Sequence, residues 1–144
     1  MAQVLRSSRW LYAAVNAAHV FGIALLIGAI VPLNLRLLGC WPDVPRTKLV
    51  RVLVPCAATG LGLASLAGGL LFSVRAREYA GVGFLQVKLG LVALGTLAAV
   101  VLHAGHGSLL EHARKPQLVV HALVSLVCWP TALLCGRLIA FAVD

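Results

Sequence analysis

The residues of this chain best suited to chemistry are its five histidines and Lys88, one of three lysines. His19 interrupts an otherwise apolar run that starts at Trp10, and Lys88 stands near the start of another. A titratable side chain placed in lipid costs about 3 kcal/mol unless a partner offsets it, so each such residue is a functional candidate. Asn16 and Gly22 lie three residues to either side of His19, so on a helix all three share a face. His19 could be satisfied there as an ordinary core residue, by Asn16 or a backbone carbonyl. Lys88 could likewise snorkel to the headgroups. Both residues fall toward the same end of their runs, next to Gln86, Arg75 and Arg77. An imidazole beside a cationic mouth suits a cofactor that carries both a metal and carboxylates. Haem b meets that description, with His19 as iron ligand, Lys88, Arg75 and Arg77 near the propionates, and Asn16 on the same face.

A second group gathers at the opposite end. His103 closes one apolar run and His121 opens the next, with His106 and His112 in the polar connection between them. Antiparallel neighbours joined in this way bring His103 and His121 to comparable depth. There they could ligate a second or alternative haem, or copper with help from His106 and His112. They could also cap helix ends and meet water. One methionine, the initiator, is too few for copper conduction through soft thioethers. The four acids, Asp43, Glu78, Glu111 and Asp144, all stand at ends or in loops. That placement leaves no carboxylate pair for hydrolysis and no intramembrane acid for proton-coupled transport. Cys56, Cys128 and Cys135 lie in apolar segments and Cys40 in a loop, without CxxC or zinc spacing.

The elements that must position these groups follow from composition. Of 144 residues, 61% are hydrophobic and 11% charged, against about 25% charged in soluble domains. The apolar runs predict four spans over 10–35, 50–74, 84–104 and 118–142, an all-α integral membrane four-helix bundle running up-down-up-down. The first run is too long for a signal-peptide core and lacks a small-residue cleavage site, so it is expected to be retained. Pro42 and Pro45 break the chain after it. Gly60, Ala64 and Gly68 recur at four-residue spacing in the second run, a stripe that lets helix backbones approach closely or seats a planar cofactor. Trp129-Pro130 is expected to kink the fourth span.

An even number of spans puts both ends of the chain on one side, here side A, and the first and third connections on side B. Basic residues crowd the span ends, which fits lipid headgroups and excludes nucleic acid as the partner of the +8 net charge. Side A carries Arg6, Arg9, Arg75, Arg77, Lys88 and Arg137, and side B carries Arg36, Arg46, Lys48, Arg51, Arg114 and Lys115. Six against six gives the positive-inside rule no preferred orientation.

The stretch His19-Val-Phe-Gly-Ile-Ala-Leu-Leu-Ile-Gly-Ala-Ile-Val-Pro-Leu-Asn-Leu-Arg-Leu-Leu-Gly resembles the first helix of a bacterial four-helix membrane family related to the copper-resistance D (CopD) domain. Asn34 here stands where that family usually has Asp, and the likeness extends to the closing Gly136-Arg137-Leu138-Ile139-Ala140-Phe141. More distantly, the early His and the Val87-Lys88-Leu89 that opens helix three resemble HemJ-type protoporphyrinogen oxidases. In those proteins the His and Lys form the functional pair and the bundle is associated with b-type haem. The carry-over is limited to His19 and Lys88. The resemblance implies a bacterial inner-membrane protein.

The leading expectation is a haem b protein for cytochrome b-like electron transfer, with a quinone or redox protein as partner. The alternative is a HemJ-like membrane oxidoreductase with Lys88 gripping a substrate carboxylate. Copper handling at His103, His106, His112 and His121, or a structural role in a larger membrane complex or homo-oligomer, completes the set.

Overall fold

A computed structural model of the chain describes residues 8–74, 83–107, 109–110 and 112–142. Among them are four helices, α1 (Arg9–Leu38), α2 (Arg46–Val74), α3 (Gly83–His106) and α4 (Lys115–Ala142), and no strand. Each is long and apolar enough to cross a membrane. The chain is an all-α, four-helix membrane bundle.

The helices outrun the apolar segments because capping, not hydropathy, sets their ends. The Ser8 hydroxyl accepts the Leu11 amide and opens α1 at Arg9. Gly39, at φ 112°, closes it, with its own N–H on the Arg36 carbonyl and that of Cys40 on the Leu35 carbonyl. This paired arrangement needs a left-handed residue, and glycine supplies it without strain. The Pro45 carbonyl accepts from Lys48 and Leu49 and starts α2. Polar groups within the spans turn back onto their own helix: Thr59 donates to the Pro55 carbonyl and Thr96 to that of Val92. In lipid no water is at hand to replace such bonds.

Apolar surface gains little by leaving lipid for protein, so packing and hydrogen bonds hold the bundle. α1 packs on α2, α3 on α4, and α1 on α4 joins the two hairpins. The α1–α2 seam is the tightest. A Cβ on Gly22 would lie 2.6 Å from the Ala64 amide nitrogen, and one on Gly60 2.6 Å from that of Leu26. The predicted stripe is therefore real, and the α1 backbone fills it at Gly60 and Ala64 rather than a planar group. Between α1 and α4, Asn34 Nδ2 donates to Ser125 Oγ at 2.7 Å, with both residues buried. At side B all four helices converge on Leu33, Leu37, Val50, Leu102, Leu118 and Ala122. Leu110 of the α3–α4 connection plugs that end, its carbonyl held by the Arg46 guanidinium at 2.9 Å.

Candidate functional site

At side A, α1 places His19 against α2. The imidazole Nδ1 lies 2.8 Å from the Ala64 carbonyl oxygen, 45 residues away in sequence. A carbonyl only accepts, so Nδ1 carries the proton and Nε2 keeps its lone pair. Gly68 makes the contact possible, because a Cβ there would meet His19 Cε1 at 2.9 Å. Of the two explanations for a half-buried intramembrane histidine, the carbonyl bond is the one present. It satisfies one ring nitrogen and leaves the other for a ligand, the usual way a metal-binding histidine is oriented.

Lys88 reaches α4 in the same manner. Its Nζ stands 3.0 Å from where a Cβ on Gly136 would be, so glycine clears the space for the ammonium. No described residue hydrogen-bonds or ion-pairs with it. His19 and Lys88 lie within electrostatic reach of each other, and Lys88 within reach of the Cys135 thiol. The expectation that His19 and Lys88 share a zone of the bundle thus holds. The helix-three lysine crosses to its neighbour instead of merely extending along its own helix.

The other predicted groups fare differently. Asn16, one turn before His19, is exposed and touches neither His19 nor Lys88 through a hydrogen bond. Arg75 and Arg77 lie outside the described residues. Arg9 is described, and with Trp10 and Ala13 it lines an open depression of about 410 Å³ on the first turn of α1. Arg137 stacks on Phe141 of its own helix, 5.4 Å from the ring centre.

At side B, His103 on α3 and His121 on α4 lie at the same level of the bundle, within electrostatic reach. His106 Nδ1 is turned to the Leu102 carbonyl at 3.1 Å, and His112 is exposed. Among the described residues no three of His, Cys, Asp and Glu gather as a metal-holding group. The four histidines weighed for copper are therefore not one cluster.

Ala64 and Gly68 show in the sequence as members of the small-residue stripe but not as the partners of His19, and Cys135 and Gly136 escape a reading of the sequence altogether. A backbone carbonyl has no residue-type signature, and glycines opposite His19 and Lys88 become visible only once the antiparallel registers are known.

No family model, no curated protein and no solved structure matches this chain.

Proposed function

We propose that this chain is a haem b-binding protein of the bacterial cytoplasmic membrane that exchanges electrons with a quinone or a redox protein. The observation that carries the reading is the pairing, at one end of the bundle, of an imidazole with a fixed tautomer and an ammonium that has no hydrogen-bond or ion-pair partner among the described residues. The donor set fits a metal macrocycle bearing carboxylates: a neutral nitrogen for the metal, a cation for the carboxylate. Haem bound there supplies a one-electron Fe(III)/Fe(II) couple.

The protein's own contribution is positional. The Ala64 carbonyl holds the His19 ring by Nδ1 and strengthens Nε2 as a donor. Gly68 and Gly136 keep the His19 ring and the Lys88 ammonium in place without a Cβ in the way. Lys88 offsets the charge of a propionate, with Arg75 and Arg77 as further candidates. His19 is the one histidine toward side A, so any further ligand a metal took there would be something other than an imidazole. The resemblance to HemJ-type oxidases adds a second reading on the same pair, favoured by the Lys88 ammonium, which no described residue partners. There Lys88 holds a carboxylate of a porphyrinogen substrate.

The test is a dithionite-reduced minus air-oxidised spectrum of the detergent-purified protein. A Soret shift with a b-type α band is expected, abolished in His19→Ala and altered in Lys88→Met. A flat spectrum from folded protein grown with ample haem overturns the cytochrome reading. Rescue of a strain without protoporphyrinogen oxidase separates the second reading from the first.

A further inference from the structure

The side-B rim gathers basic side chains that the bundle itself does not neutralise. The carbonyl of buried Leu110 accepts from the Arg46 guanidinium at 2.9 Å and from the Ala113 amide at 3.3 Å. The shared acceptor brings Arg46, the first residue of α2, beside the chain that enters α4 through Arg114 and Lys115. Helix spacing leads to the same place. Arg46 stands one turn before Val50 and Arg114 one turn before Leu118, and Val50 and Leu118 belong to the one apolar cluster that closes side B. Cations from both hairpins therefore sit on the rim of a single core.

These cations lack an anion. None of the four helices contains Asp or Glu. Arg46, Arg114 and Lys115 have no ion-pair partner among the described residues. Arg46 uses Nη2 on Leu110, but its Nε is wholly buried and has no partner among the described residues. Arg36 is the contrast, because its guanidinium donates to the Val44 and Pro42 carbonyls of the α1–α2 connection. Like charges held on one rim repel each other, and an anion between them reverses the sign.

The location selects the anion. Arg46 and Lys115 open their helices just outside the apolar runs, at the level of lipid headgroups. α2 packs on α1 and α3 on α4, whereas α2 and α3 form no seam, which leaves the flank between them to acyl chains. Basic pockets between spans at this level recognise anionic headgroups. A phosphate has acceptor oxygens enough for guanidinium groups from two elements to bond it at once.

We propose that an anionic phospholipid is bound at the side-B rim, its phosphate shared by Arg46 of α2 and by Arg114 and Lys115 at the start of α4. The lipid ties the two hairpins together on the flank where α2 and α3 do not pack. This site is separate from the His19–Lys88 site at side A and does not depend on haem.

The experiment delipidates the full-length protein in a neutral detergent and titrates it with phosphatidylglycerol or with phosphatidylcholine of the same acyl chains. Native mass spectrometry counts the lipids retained per chain, and thermal unfolding reads the stabilisation. The expected result is one phosphatidylglycerol retained per chain in preference to phosphatidylcholine, with a rise in Tm that phosphatidylcholine does not give. Arg46→Gln and Arg114→Gln should each weaken retention about fivefold. Arg137→Gln removes the same charge at side A and should leave retention unchanged. Equal retention of the two lipids overturns the proposal, and so does full phosphatidylglycerol retention in Arg114→Gln. Stabilisation by inorganic phosphate as large as that by phosphatidylglycerol would mark a free-anion site and overturn the lipid assignment. The Arg114 side chain is exposed and bonds to no described residue, so that variant decides the matter even if Arg46→Gln fails to fold.

Discussion

At the scale of single residues, the side-A site depends on atoms that are absent. Gly68 and Gly136 each vacate the position that a Cβ would occupy, one beneath an imidazole and the other beneath an ammonium. Gly68→Val should therefore push the His19 ring out of its recess and break its bond to the Ala64 carbonyl. The expected result is a lost or shifted haem spectrum with unchanged helical circular dichroism. Gly69→Val is the control, because nothing lies within 4 Å of a Cβ there. A normal spectrum in Gly68→Val would mean that the ring is not held against α2. His19 and Lys88 were legible in the sequence because charge-bearing side chains are rare in apolar runs. Their partners were not, since a carbonyl and two glycines announce nothing until helices are set side by side. Asn34 is a middle case. Its polarity was visible, but its bond to Ser125, 91 residues on, required the α1–α4 contact. Asn34→Ala should destabilise the bundle by roughly 1 kcal/mol, measured by reversible unfolding in mixed micelles, because interhelical hydrogen bonds in membranes rarely exceed that by much.

At the scale of elements, the α1–α2 seam sets the platform on which His19 sits. Its close approach is backbone against backbone, so a new Cβ at Gly22 or Gly60 meets atoms that cannot rotate away. Gly60→Ala should cost about 1–3 kcal/mol, the usual range for overpacking. Gly62→Ala, two residues along on the open face, should be neutral or slightly stabilising, since the added methyl meets nothing. Equal effects in thermal unfolding of the two variants would show that the seam is looser than described. The four-residue spacing of Gly60, Ala64 and Gly68 made this seam readable in advance. The spacing could not say whether a helix or a cofactor would fill it, because both need the same small residues. Helix ends were the least legible feature. Hydropathy stops where lipid stops, whereas the Gly39 closure and the Pro45 carbonyl extend α1 and α2 beyond that level.

At the scale of the whole molecule, the up-down-up-down path separates the two histidine sites onto opposite faces of the membrane. His19 and Lys88 belong with the start of α1 and the end of α4, and His103 and His121 with the α1–α2 connection. Which compartment each faces is the question that the evenly divided basic residues leave to experiment. Cys40 gives a direct handle. It is exposed in the α1–α2 connection, whereas Cys56 is half-buried within α2 and Cys128 and Cys135 are buried within α4. A membrane-impermeant maleimide should therefore label the unsubstituted protein at Cys40 alone, and from one face only. Trp10, 88% exposed on the first turn of α1, marks the other face. In Trp10→Cys combined with Cys40→Ser, labelling should switch from inverted vesicles to right-side-out ones, or the reverse. Labelling of both positions from one face would mean that α1 does not cross. The placement of His19 and Lys88 at one end of the bundle and of His103 and His121 at the other would then lose its basis. With opposite labelling, the face that exposes Cys40 is the one that His103 and His121 adjoin. The other is the face toward which His19 and Lys88 are placed.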